Sequence, residues 1–233
     1  IDNTGAGTST NKTYKVQYDH NDGRWTDLAF GGAPSSNSGA TTSDWNATTV
    51  DAGGNVGEYP SIAIGTDGYP VISYYNASTI ALMVAKCNNA DCTAVSTTTL
   101  DSGGDVGQYT SIAIGTDGYP VISYYDNTLR ALKVYHCTTT DCSGGNAYIV
   151  DDPDNYVGKV TSIAIGTDGY PVISYLDSSA KDLKVFHCTS TDCSGGEAYT
   201  VATVGTTFIY VDQTSIAIGN DGYPVISYSN SVD

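Results

Sequence analysis

Short apolar runs alternate with polar positions along this chain, punctuated by Gly, Asp, Asn, Ser and Thr. A period of two marks strands with one buried face. No stretch keeps a 3.6-residue period over three turns, so almost no helix is expected. One phrase carries the pattern. Ser-Ile-Ala-Ile-Gly-x-Asp-Gly-Tyr-Pro-Val-Ile-Ser-Tyr occurs four times, starting at Ser61, Ser111, Ser162 and Ser215, at offsets of 50, 51 and 53 residues. Repeats of that length indicate a stacked or radial array of modules.

The copy at Ser111 predicts four strands. Ser111 to Gly115 is the first, with Ile112 and Ile114 on one face and Ala113 on the other. Thr116-Asp117-Gly118 is a hairpin turn, since Asp-Gly accepts the positive φ of a tight turn. Tyr119 to Tyr125 is the second strand, its Pro120 at the start, where a missing N–H is tolerated. After a polar turn, Ala131 to His136 alternates as the third. The Cys137–Cys142 loop and Ser-Gly-Gly lead to the fourth, Ala147 to Val150, and Asp151 to Gly158 connects onward. Four meandering antiparallel strands per repeat read as a propeller blade; a solenoid, with shorter coils, is the rival.

The ends complement each other. The fourth copy stops after two strands, at Tyr228, while Tyr14 to Tyr18 reads as a third strand and Trp45 to Asp51 as a fourth. The expected fold is all-β: a four-bladed β-propeller, each blade of four antiparallel strands, the last closed by the N- and C-terminal halves. As one domain of 1–233, it divides into closing strands and an irregular loop (1–57), whole blades (58–107, 108–158, 159–211) and the first half of the closing blade (212–233). Closure removes exposed sheet edges. The halves could instead pair between molecules, building a fibre by strand exchange; closure within one chain is favoured by effective concentration. His20 to Arg24 is expected to turn a hairpin, and Gly31 to Ser43 is a polar loop that serves as linker or contact site.

The unit Asp-Ser-Gly-Gly-Asp-Val-Gly-Gln-Tyr-Thr-Ser-Ile-Ala-Ile-Gly-Thr-Asp-Gly-Tyr-Pro-Val-Ile-Ser-Tyr-Tyr-Asp (101–126), followed by Ala-Leu-Lys-Val, resembles a repeat of large bacterial and archaeal surface proteins. The resemblance covers 45–228. It implies an exported protein with propeller blades and brings no catalytic residues with it.

Charge narrows the partners. Nine Lys and Arg against 25 Asp and Glu give a net charge of −16. Nucleic acid and anionic membrane surfaces are poor partners for such a chain, and no apolar run is long enough to insert into a membrane. The polar start at Ile1 reads as a mature or trimmed chain. Nineteen Tyr against three Phe suit strands whose rings are buried while their hydroxyls find a partner.

The cysteines pair at one repeated spacing: Cys87 with Cys92, Cys137 with Cys142, Cys188 with Cys193. His136 and His187 precede two of these loops, but Lys86 precedes the third, and a structural zinc site needs four converging ligands. Local disulfides at hairpin tips are the expectation. With the sequons at Asn11, Asn46 and Asn76 as candidate N-glycosylation sites, they place the protein outside the cell or on its surface.

Catalytic signals are weak. A sialidase-like glycosidase needs an arginine triad, and the chain has only Arg24 and Arg130. No Gly-x-Ser-x-Gly elbow accompanies His20, His136 or His187. Asp67, Asp117, Asp168 and Asp221 are explained by turn geometry. The chain is therefore expected to be no enzyme and to need no cofactor other than, at most, calcium. Candidate calcium or ligand loops carry Asp51, Asn55, Asp101, Asp105, Asp151 and Asn155, with Tyr59 and Tyr109 as sugar-stacking rings. The leading expectation is a structural or adhesive surface block, with self-association or other surface proteins as partners. The alternative is a calcium-assisted, glycan-binding lectin.

Overall fold

The computed structural model describes residues 15–19, 25–29, 47–151, 156–203, 209–210, 213–229 and 231–232. The chain divides into two compact units, Ile1–Ala47 and Thr48–Asp233. All described elements are strands in antiparallel ladders, with no helix among the described residues.

In the first unit β1 (Lys15–Asp19) pairs with β2 (Trp25–Ala29), Lys15 opposite Ala29 and Asp19 opposite Trp25. The expected turn between them lies outside the described residues. The fourth strand expected at Trp45 to Asp51 does not form over 47–51. Asp51 turns the chain there: its Oδ1 accepts the Gly53 N–H at 2.8 Å, as Asp101 accepts the Gly103 N–H at the end of the strand Val95–Asp101. Val50 packs beside Tyr74 and Met83.

The second unit repeats one meander. β3 (Val56–Ile64), β4 (Pro70–Asn76), β5 (Ala81–Cys87) and β6 (Val95–Asp101) form the first sheet in that order. β7 (Val106–Ile114), β8 (Pro120–Asp126), β9 (Ala131–Cys137) and β10 (Gly145–Ile149) form the second. β11 (Val157–Ile165), β12 (Pro171–Asp177), β13 (Asp182–Cys188) and β14 (Gly196–Thr203) form the third. β15 (Ile209–Tyr210) pairs with β18 (Ser231–Val232), and β16 (Thr214–Ile218) with β17 (Pro224–Tyr228), the latter from the fourth copy of the phrase.

The hairpin between the first two strands follows its sequence. Gly115 N–H donates to Tyr119 O at 2.8 Å, Gly118 N–H to Gly115 O at 2.9 Å, and Gly118 takes φ +85°. The first strand is longer than its alternation predicts, running from Val106 rather than Ser111. Two irregularities hide the extension from a period-two reading: the register with β8 shifts between Val106 and Gln108 and again between Gln108 and Ser111. Gly107 and Tyr109 take positive φ there, and the first and third sheets repeat the device at Gly57 and Tyr59 and at Gly158 and Val160.

Successive sheets pack first strand to first strand: β7 against β3 and β4, β11 against β7 and β8, β16 against β11 and β12. Each sheet is apolar on both faces, which is why alternation is incomplete in β4, β8 and β12. Val71, Leu82 and Val84 of the first sheet meet Val106, Ile112, Ile122 and Tyr124 of the second. Val121, Leu132 and Val134 of the second meet Val157, Ile163, Ile173 and Tyr175 of the third. At about 1.5–3 kcal/mol for each large aliphatic side chain fully buried, these layers are the main stabilising term.

Hydroxyls lock the layers in register. Ser73 and Thr110 share a hydrogen bond of 2.8 Å, and Thr110 Oγ1 also contacts Tyr59 O at 2.9 Å. Ile112 N–H donates to Ser61 Oγ at 3.2 Å. One joint later Ser123, Thr161, Tyr109, Ile163 and Ser111 repeat the arrangement. At the third joint Ser174 bonds Thr214, and Ile216 N–H donates to Ser162 Oγ.

Candidate functional site

The bulges of β3, β7 and β11 and the start of β16 each aim one residue pair at a common groove. Tyr59-Pro60, Tyr109-Thr110, Val160-Thr161 and Gln213-Thr214 line a cavity of about 350 Å³. The rings of Tyr59 and Tyr109 meet at 4.4 Å between centroids, tilted by 42°. The structure thus brings together the two aromatic residues singled out as sugar-stacking candidates. Burial and the neighbouring Tyr109 push the Tyr59 hydroxyl above the usual tyrosine range, so it stays a neutral donor.

The acidic loop residues are placed differently. Asp101 Oδ2 accepts the Tyr124 hydroxyl at 2.6 Å and Lys133 Nζ at 2.6 Å, and Lys133 also lies 3.4 Å from the buried Asp126. Asp151 repeats this with Tyr175 and with Lys184 at 2.6 Å. Asp51 takes the Tyr74 hydroxyl at 2.7 Å, and Met83 stands where the later sheets carry lysine. Burial opposes the charge of Asp101, but Lys133 and Tyr124 outweigh it and hold the carboxyl below its ordinary range. Burial and the facing carboxylates push Tyr74, Tyr124 and Tyr175 well up.

Asp105 accepts the Tyr75 hydroxyl at 2.6 Å and the Asn127 amide at 2.7 Å. Burial first and then Asp105 push Tyr75 up to about 12. Asn55 donates its side-chain amide to Glu58 at 3.1 Å. Asn155 lies outside the described residues. Among the described residues no three His, Cys, Asp or Glu side chains gather as a metal site. The sequence offers these acids as calcium or ligand loop residues and does not reveal the Tyr–Asp–Lys groups they form. Their signal was the joint recurrence of Asp101, Tyr124 and Lys133 as Asp151, Tyr175 and Lys184.

The turn acids have two roles. Asp67, Asp117, Asp168 and Asp221 each accept, through Oδ1, the N–H two residues on, at 3.1 to 3.2 Å. The other oxygen of the first three meets a basic side chain: Lys86 at 2.8 Å, His136 at 2.7 Å and His187 at 2.7 Å. The residue before each first cysteine is thus the partner of the turn, which explains why Lys and His exchange there. Lys86 holds the Asp67 carboxyl below its usual range. A second cavity, of about 320 Å³, lies beside Asp168 and His187, walled by Val185, Ile218 and Tyr223.

All six cysteines form the three expected disulfides, with Cα–Cα distances of 4.8, 4.9 and 4.9 Å. Cys92, Cys142 and Cys193 take positive φ at the loop tips. Asn11 and Asn46 lie outside the described residues. Asn76 corrects the sequon reading. It is buried, and its Oδ1 accepts the N–H groups of Ser78 and Thr79 at 3.0 and 3.1 Å, so the folded protein does not present it to a glycan.

The disulfides are compatible with an oxidising, extracellular setting. No helix among the described residues is long and apolar enough to cross a membrane. The chain matches no protein-family model and no curated protein.

Proposed function

We propose that this chain is a non-catalytic extracellular scaffold, a structural or adhesive building block of a cell surface, in which each four-stranded sheet is a propeller blade and the strand pairs β1–β2 and β16–β17 are half-blades. One observation carries the reading. The side chains that could do chemistry are spent on holding the repeat: acids on tyrosines and lysines, turn acids on Lys86, His136 and His187, hydroxyls between sheets. A calcium ion at Asp101 or Asp151 would have to displace a lysine bonded at 2.6 Å. Immunogold labelling of the producing cells, with a hydrolase substrate panel on the purified protein, tests this. Label on the surface and no turnover is the expected result; turnover, or label confined to the cytoplasm, refutes it.

The tyrosine-lined groove favours a second reading, a glycan-binding lectin. Its rings offer the flat apolar faces that sugars stack on. Calcium-dependent hits on a glycan array, lost in Tyr109→Ala, would establish the lectin in place of the scaffold.

A further inference from the structure

Each sheet of the second unit has two distinct faces, and the joint between sheets is the same join made three times. At each joint an isoleucine of the following sheet's first strand seats over a valine of the preceding sheet's second strand. Ile112 and Val71 share one core and Ile163 and Val121 the next; Ile216 and Val172 share the last. At these joints the isoleucines are 7, 7 and 8 % exposed and the valines 0, 0 and 5 %.

The repeat leaves one of each face over. Ile62 holds the isoleucine place in the first sheet and is 61 % exposed, with Ile64 beside it at 60 %. Val225 holds the valine place in the last sheet and is 63 % exposed, with Tyr223 at 73 %. The chain's own first and last sheets do not cover each other. Both faces are apolar, both lie on regularly paired segments, Ser61–Ile64 with β4 and Pro224–Tyr228 with β16, and each is the complement of the other by the pattern of all three internal joints.

We propose that copies of this chain join head to tail, the Ile62 face of one seating on the Val225 face of the next. The hydrogen-bonding groups match as well. Ser215 holds the place from which Ser61, Ser111 and Ser162 accept an isoleucine N–H, and Ile62 carries the corresponding N–H. Asn220 replaces the threonine that, as Thr66 and Thr116, donates to the carbonyl of the following sheet's turn glycine. One element is missing. Pro60 stands where Thr110, Thr161 and Thr214 bond back to the preceding sheet, so the joint between copies lacks that hydroxyl and is weaker than the internal ones. The contact is heterologous: it closes a ring or extends a filament, and it leaves no pairing of like faces. The inference rests on the scaffold reading and supplies its partner, a second copy.

Light scattering on the full chain tests it. Wild type is expected to form species above 24.3 kDa that grow with concentration. Ile62→Lys and Val225→Lys, both at exposed positions, are each expected to weaken association at least about a hundredfold, because the ammonium would be buried unpaired. Mixing the two variants is decisive: each keeps one intact face, so the mixture forms a two-chain species and nothing larger. Pro60→Thr is expected to tighten the joint about threefold to tenfold by restoring the hydroxyl. Wild type that stays at one-chain mass overturns the proposal, as does a mixture that stays monomeric. Loss of association in Ile62→Lys but not Val225→Lys also overturns it, since that marks pairing of like faces. None of these outcomes touches the scaffold reading, which the surface-labelling and turnover assays decide.

Discussion

Three glycines at one repeat position measure how much the sheet layers contribute. Gly57, Gly107 and Gly158 take φ of +87, +101 and +99°, so an alanine is strained at each by about 1–2 kcal/mol. Their surroundings differ. A Cβ on Gly107 would lie 2.6 Å from Leu82 Cα and 2.8 Å from its backbone nitrogen, and on Gly158 at the same distances from Leu132. A Cβ on Gly57 would meet nothing within 4 Å. Backbone cannot swing aside as a side chain can, so the two clashing sites add an overpacking cost of about 1–3 kcal/mol. Gly107→Ala and Gly158→Ala should therefore melt below Gly57→Ala by about 2 kcal/mol, or about 4–8 °C for a chain of this length. Differential scanning calorimetry on dilute protein reads the difference. Equal melting temperatures for all three variants would refute the packing of each sheet's third strand on the next sheet's bulge.

Other outcomes follow from the buried polar groups. Tyr124→Phe removes a hydroxyl from a carboxylate and should cost about 1.5–3 kcal/mol in urea melts, whereas Tyr125→Phe should cost nothing and stabilise by up to about 1 kcal/mol, since it removes a buried hydroxyl that has no partner among the described residues. Lys133→Met leaves Asp101 and the buried Asp126 without their cation and should cost about 3–5 kcal/mol by the same assay. Stability should fall at both pH extremes, read by melting temperature. The Asp67 and Asp101 carboxyls sit below their free range, and Asp192 is at about 2 because its Ser190 and Ser194 hydrogen bonds outweigh burial. Their contribution is thus present above about pH 4 and lost as pH falls through the folded values. Tyr75, raised to about 12, contributes below about pH 10 and loses that contribution as pH climbs through 12. A flat melting profile from pH 2 to 5 would contradict the acid limb.

The four-strand meander, its turns and the disulfide pairs were legible because each is local. Asp-Gly fixes a turn within four residues, and cysteines five apart close a loop without reference to the rest of the chain. The tyrosine groove was half legible: Tyr59 and Tyr109 stood out as aromatic residues beside acidic loops, but their meeting depends on two bulges per strand, and a bulge leaves no mark in a period-two pattern. The length of Val106–Ile114 was missed for the same reason. The partners of Asp101 and Asp151 were not legible because they lie 23 to 33 residues away, across strands whose register the sequence does not state. Asn76 shows the reverse error. A surface motif in the sequence became a buried cap because the chain needed an acceptor at the turn after β4.

Because every inter-sheet joint uses the same serine, threonine and isoleucine positions, an added copy meets its neighbours with no new interface to invent. A gene encoding such a chain can lengthen by in-frame duplication of one unit, and the newcomer arrives with its seat on both sides already cut.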